Sequence, residues 1–233
     1  QEMSRGLGDV YKRQAVGVMI IAAAPGGVTS NVMTKFADGD VALSISLTAI
    51  ISLISIISVP FIIFKSADLL GVSDISSNLT MTGIALKMAL VVTVPVILGM
   101  IIRKFAGNFI SSNISIIEKI TIVLFLIVFA AILVEEKDNI FNYFKQAGIA
   151  VLILNIVMMT LGYFIAKLFA SGIKQRKCIS IECGLQNGTL AIFVATQIFN
   201  DISYVIPTAA YALIMYLTGF IFILILRLSL IHI

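Results

Sequence analysis

Ile181-Glu182-Cys183-Gly184-Leu185-Gln186-Asn187-Gly188-Thr189-Leu190-Ala191 puts a carboxylate, two amides and two glycines inside an apolar run, 177–200, long enough to cross a bilayer. An ionisable side chain within a span costs about 2.5–3.5 kcal/mol on insertion scales and marks a functional position by default. Glu182 lies five residues into the run, and the glycines beside it weaken the helix. A second apolar run, 15–35, carries Pro25-Gly26-Gly27 followed by Thr29, Ser30 and Asn31, and is interrupted in the same way. Unwound backbone survives in lipid only where protein or a water-filled cavity satisfies it. Two broken spans therefore imply a buried site in an all-α polytopic membrane protein with two discontinuous helices.

Composition agrees with that reading. Of 233 residues 60% are hydrophobic and 12% charged, with a mean hydropathy of +1.10. Soluble domains carry about 25% charged residues, so a soluble globular protein is excluded. Apolar runs separated by charge and turn residues give seven candidate spans, near 15–35, 41–64, 84–103, 114–134, 147–170, 177–200 and 204–227. The net charge of +4 reads as loop asymmetry, because no Lys/Arg cluster alternates with aromatics as a nucleic-acid surface would require. One His and two Cys exclude a His-rich metal site and suggest no disulfide framework.

With the last span ending inside, inner segments hold nine Lys/Arg (Lys35, Arg103, Lys104, Lys119, Lys167, Lys174, Arg176, Lys177, Arg227) and outer ones four (Lys65, Lys87, Lys137, Lys145). The positive-inside rule then places the C-terminal end in the cytoplasm. The stretch 66–83 is expected to be an outer loop with a short interfacial helix, and Glu135-Glu136-Lys137-Asp138 a solvated outer charge run.

The termini read as foreign. Asp9-Val10-Tyr11-Lys12-Arg13-Gln14 can be encoded by a sequence whose reverse complement translates as Leu-Ser-Leu-Ile-His-Ile, which are residues 228–233. Such paired ends resemble the translated adaptor of a sequencing library, so 1–14 and 228–233 are expected to be non-native tails of a larger protein. Setting them aside removes three basic residues, two acidic residues and the histidine, and +4 becomes +3.

Glu182, Gln186 and Asn187 supply oxygen-bearing side chains beside unwound carbonyls, a cage suited to a hard monovalent cation. Gln186, four residues on, shares Glu182's face if the helix persists. A neutral carboxylic acid bonded within the bundle is the structural alternative. Ser30 and Asn31 follow the other break, where a half-helix begins with unsatisfied N–H groups that favour anions. Ser44 and Thr48, spaced i, i+4, face one way. Hydroxyls in membrane helices mostly bond the preceding turn or a neighbouring helix; Ser46, Ser52, Ser55 and Ser58 are read so, and for Ser44 and Thr48 both roles stay open.

The stretch Ala24-Pro25-Gly26-Gly27-Val28-Thr29-Ser30-Asn31-Val32-Met33-Thr34, followed by Gly39-Asp40-Val41-Ala42-Leu43-Ser44 and Thr48, resembles the fourth and fifth helices of the bile acid:sodium symporter family, and 181–191 resembles that family's ninth. The resemblance covers 15–227 and implies an inverted-repeat transporter of ten helices, with core and panel domains and two discontinuous helices that cross. About seven of the ten are then present: core helices four and five in 15–64, panel helices six and seven in 84–134, and core helices eight to ten in 147–227. It also implies a first sodium site at Ser30, Asn31, Ser44, Thr48 and Glu182. A second would use Glu182, Gln186 and the carbonyls of Cys183 and Leu185, completed by a third-helix glutamine that this chain lacks. Asn187 falls where the family's substrate approaches the crossing.

The function so implied is sodium-coupled symport of an organic anion, bile acid-like or a smaller carboxylate or sulfonate, by alternating access in the cell (inner) membrane. Sodium ions are the coupling species, and the partners are the anion and the lipid bilayer, with no nucleic acid and no obligate protein partner. Two alternatives stand beside it. An intramembrane enzyme would need metal-ligating His or a base for Cys178 or Cys183, and only Glu182 could be that base. A non-transporting receptor would leave Glu182 and both breaks without a purpose.

Overall fold

The computed structural model describes residues 2–72, 80–135, 138, 140–169 and 172–231. The helices are α1 (Glu2–Ala23), α2 (Val28–Phe36), α3 (Val41–Leu69), α4 (Met81–Ser112), α5 (Ile114–Glu135), α6 (Ile140–Tyr143), α7 (Ile149–Leu168), α8 (Ile173–Gly184), α9 (Gly188–Ile198) and α10 (Ile206–Ile231). Residues Phe144–Gly148 form a π-helical turn joining α6 to α7, and Ile202–Tyr204 a 3-10 turn before α10. Among the described residues four segments are long and apolar enough to cross a membrane: Val41–Leu69, Met81–Ser112, Phe141–Leu168 and Ile202–Ile225.

Both expected breaks are present. The span 15–35 is divided between α1 and α2, and 177–200 between α8 and α9. Pro25 and Gly26 stand in the first gap, and Gly184 ends α8. Other helices outrun their apolar cores. Asp40 caps α3 by accepting from Leu43 N (3.0 Å), and α3 continues past Pro60 to Leu69. Thr80 caps α4 through Gly83 N (3.0 Å), and that helix passes Pro95 and kinks at Ala106. Of the expected outer loop 66–83, residues 66–69 continue α3 and 81–83 begin α4, because backbone bonding persists past the apolar runs, while 73–79, where a short interfacial helix was expected, and part of the 135–138 charge run fall outside the described residues.

Half of α10's apolar window is buried, against 11% of α4's, so α10 sits at the centre and α4 at the periphery. Tyr211, Ile214 and Met215 of α10 pack with Ile20, Met33, Ile181, Leu185 and Val194 from both broken helices. Helix α7 lies against α8 at Gly162, where a Cβ would meet Cys183 Sγ at 3.0 Å and Ile179 O at 3.1 Å. Outward faces of α4, α5 and α7 are lined by exposed Leu, Ile, Val and Phe, the surface a lipid solvent stabilises.

The turn after α2 anchors α8. Asp38 takes a left-handed conformation (φ 52°), which Asp tolerates better than most residues, and closes α2. Asp40 N then donates to Lys174 O (3.1 Å), and Gln175 Nε2 to Asp40 Oδ2 (2.9 Å). The Leu43 backbone N–H, more than any other group, holds Asp40 below the usual carboxylate range. Lys177, counted above among the inner loop charges, is in fact 2% exposed and donates to Ala37 O at 2.8 Å. Its ammonium satisfies a carbonyl at the end of α2, where helix polarity favours a cation.

Candidate functional site

The two gaps cross as a minimal antiparallel pair. Gly27 N donates to Leu185 O (3.0 Å), Asn187 N donates to Pro25 O (2.8 Å), and Gly26 bridges Gln186. Buried chain ends thus satisfy one another where no water is available. Gly26 lets the Glu182 carboxylate lie against the crossing, since a Cβ there would strike Glu182 Oε2 and push it away.

Immediately beside the crossing, Glu182 projects from the last turn of α8 and is 8% exposed. Its Oε1 accepts from Ser30 Oγ of α2 (2.5 Å) and from Ser44 Oγ of α3, and its Oε2 from Thr48 Oγ1 of α3 (3.0 Å). Asn31 Oδ1 lies 2.7 Å from Ser44 Oγ and 3.4 Å from Thr48 Oγ1. Ser30 Oγ also lies 2.6 Å from Gly27 O. The structure therefore gathers Ser30, Asn31, Ser44, Thr48 and Glu182 into one oxygen cluster. Ser44 and Thr48 turn away from their own helix, whereas Ser46 and Ser55 bond back to Ala42 O and Ser52 O.

Proton counting describes the cluster's chemistry. Each hydroxyl has one proton, yet Ser30, Ser44 and Thr48 each face two acceptors. Surplus lone pairs around one carboxylate fit a hard monovalent cation. Among the described residues no group of three His, Cys, Asp or Glu side chains could hold a metal ion.

The condition for a shared Glu182–Gln186 helix face is not met. The helix ends at Gly184, so Gln186 lies in the crossing strand, where Nε2 donates to Cys183 O (2.8 Å). Its Oε1 is buried without a hydrogen-bond partner. Asn187 caps α9 by accepting from Leu190 N (3.0 Å). On this side lies a cavity of about 470 Å³ whose lining, among the described residues, includes Gly27, Thr29, Gln186, Asn187, Thr189 and Tyr216 and no Lys or Arg. It is bordered by the first residues of both α2 and α9.

Residues 4–143 match the family model described as the sodium bile acid symporter family. The chain belongs to that family. It is 28% identical over 205 residues (88% of this chain, 48% of the relative) to the probable sodium/metabolite cotransporter BASS2, chloroplastic, of Oryza sativa subsp. japonica. It is 29% identical over 206 residues (88% and 62%) to the uncharacterized sodium-dependent transporter YocS of Bacillus subtilis (strain 168). Similarity to the ileal sodium/bile acid cotransporter of Mus musculus is 28% over 189 residues (80% and 53%). The chain spans about half the length of the curated relatives it matches. It is thus an integral membrane protein of a transporter family, and the enzyme alternative is set aside.

For this symporter-family member the sequence reading missed the support behind the α8 break. Asn155 of α7 donates from Nδ2 to Gly184 O (2.8 Å) and to Tyr211 Oη (3.1 Å), and Tyr211 Oη donates to Gly184 O (2.9 Å). Thr218 Oγ1 donates to Asn155 Oδ1 (2.6 Å). An amide at position 155 in an otherwise apolar span was the available signal.

Proposed function

We propose that the protein carrying this chain is a sodium-coupled symporter of a small organic anion, working by alternating access. The observation that carries this reading is the Glu182 carboxylate, held by hydroxyls from α2 and α3 in a cluster with more acceptors than protons. Ser30, Asn31, Ser44, Thr48 and Glu182 would bind one sodium ion. Glu182, Gln186 and the carbonyls of Cys183 and Leu185 would contribute to a second, and the unpartnered Gln186 Oε1 supports that assignment.

With no Lys or Arg among the described residues of the cavity wall, the anion would be held by backbone N–H groups at the starts of α2 and α9, by hydroxyls and by the Asn187 region. A sodium/metabolite cotransporter and a sodium/bile acid cotransporter are both among the relatives, and the cavity residues favour neither a bile acid nor a smaller carboxylate or sulfonate. In this reading α1–α3 and α7–α10 belong to the core, α4 and α5 to the panel, and the two move relative to each other to expose the site alternately. The Lys/Arg bias, with Lys177 removed from it, still favours a cytoplasmic C-terminal end in the cell membrane.

Uptake of candidate organic acids by a full-length transporter carrying this chain tests the proposal. Glu182→Gln keeps the side-chain volume and removes the charge, so sodium-driven uptake is expected to disappear while the amount of folded protein is unchanged. Wild-type sodium-driven uptake by that variant would overturn the reading.

A further inference from the structure

We infer that Asn155, Tyr211 and Thr218 form a positioning relay that sets the sodium response of the broken helix, an assignment that rests on the sodium-symport reading above. A helix that ends inside protein leaves carbonyls needing partners. At the end of α8 the carbonyls of Cys183, Gly184 and Leu185 take their donors from different directions. Gln186 Nε2 donates to Cys183 O (2.8 Å) and Gly27 N to Leu185 O (3.0 Å). Gly184 O, between them, takes two donors at once, from Asn155 and Tyr211.

Those two donors use both lone pairs of Gly184 O and fix its peptide plane toward α7 and α10. Cys183 O and Leu185 O have one protein donor apiece named here, leaving each a lone pair that can face a cation. The relay extends to a third side chain. Thr218 Oγ1 stands 2.6 Å from Asn155 Oδ1, nearer than to Ile214 O (2.9 Å) and Met215 O (3.2 Å) of its own helix, which share its one proton, and Asn155 Nδ2 points at Gly184 O and Tyr211 Oη. Asn155 and Tyr211 are fully buried, so no solvent competes for these bonds. Sterics add to the constraint, because Gly184 packs so closely on Met159 of α7 that a Cβ would overlap it. None of the three side chains is among the oxygen cluster around Glu182, so their effect passes through the backbone.

The test uses a full-length transporter carrying this chain, with Tyr211→Phe, Thr218→Val and Asn155→Ala, read by uptake as a function of sodium and of substrate concentration. Losing one neutral hydrogen bond corresponds to about a fivefold change. Tyr211→Phe is expected to raise the half-saturating sodium concentration by about that factor and to lower the sodium Hill coefficient. The substrate half-saturation measured in saturating sodium is expected to stay near wild type. Thr218→Ser restores the donor and is expected to keep the wild-type sodium curve where Thr218→Val does not. An unchanged sodium curve in folded Tyr211→Phe and Thr218→Val overturns the relay, as does an equal loss of sodium and substrate affinity, which is the signature of general loosening. If Asn155→Ala does not fold, the ring-preserving and isosteric variants still decide. Sodium-driven uptake persisting in Glu182→Gln would instead overturn the underlying site, so the two failures are separable.

Discussion

Gly26→Ala isolates the close approach between the two broken helices. Gly26 does not have positive φ, so alanine meets no intrinsic backbone penalty there. The added methyl would overlap Glu182 Oε2 while standing 3.4 Å from Glu182 O and 3.5 Å from Glu182 Cδ. The carboxylate must therefore retreat by roughly 1 Å to reach an ordinary contact. That retreat lengthens the bonds from Ser30, Ser44 and Thr48, all of which converge on the two carboxylate oxygens. Overpacking a close-fitting site costs about 1–3 kcal/mol. If that strain falls on the ion ligands, half-saturating sodium rises between about 5- and about 150-fold, at 1.4 kcal/mol per tenfold. Sodium-driven uptake into proteoliposomes measures this directly, with thermal unfolding followed in parallel. Gly99→Ala, which places its methyl in open space on α4, is the control and is expected to match wild type. In Gly26→Ala/Glu182→Asp the shorter acid vacates the methyl's space and recovers the uptake lost by Gly26→Ala only in part, since it also withdraws from Thr48. A folded Gly26→Ala variant with the wild-type sodium curve would refute the steric reasoning.

Thr48→Val deletes a hydroxyl 3.0 Å from Glu182 Oε2, and Ser46→Ala one that bonds only its own helix; the first should raise half-saturating sodium about fivefold and the second leave it unchanged, in the same uptake assay. Lys177→Met leaves the buried Ala37 carbonyl without its donor and should destabilise the folded state by about 1–3 kcal/mol, seen as a lower unfolding temperature. Asp40, held below the usual carboxylate range chiefly by the Leu43 N–H, contributes stability above its unfolded pKa that is lost as pH falls through the lower folded value. Asp40→Asn keeps a capping oxygen and should flatten that acid slope in a pH series of thermal melts.

The positions of both breaks were legible in the sequence because proline and glycine act locally. Ser44 and Thr48 were half legible: their spacing showed that they share a face, but only packing against α8 shows that the face meets Glu182. The shared face of Glu182 and Gln186 was conditional on unbroken helix between them, and the helix stops at Gly184. Lys177 was misjudged because hydropathy treats a lysine at a span's edge as a loop charge. In the structure α8 starts at Ile173, and its first turns dock on the α2–α3 turn. Helix ends were underestimated where α3 and α4 continue beyond their apolar runs, since backbone bonding persists after hydrophobicity stops.

The crossing itself accounts for how ion and substrate could be coupled in the proposed mechanism. Thermodynamic coupling requires each ligand to favour an arrangement the other also favours. Here the same short segments serve both sides. Gly27 O contacts the Ser30 hydroxyl of the oxygen cluster, while Gly27 also lines the cavity. Gln186 bonds the Cys183 carbonyl and faces the same cavity. Asn187 N is fixed by Pro25 O, and Asn187 Oδ1 caps the helix whose first residues form the cavity wall. An unfilled oxygen cluster would leave the Glu182 charge uncompensated beside these strands, and the resulting field would oppose an anion in the cavity. A cation bound by Ser30, Asn31, Ser44, Thr48 and Glu182 would cancel that field and draw α2 and α3 toward α8. The cavity floor would then hold one conformation, with the N-termini of α2 and α9 free to dominate its potential. Both effects act through the two short crossing strands, 24–27 and 185–187, so coupling needs no longer pathway through the bundle.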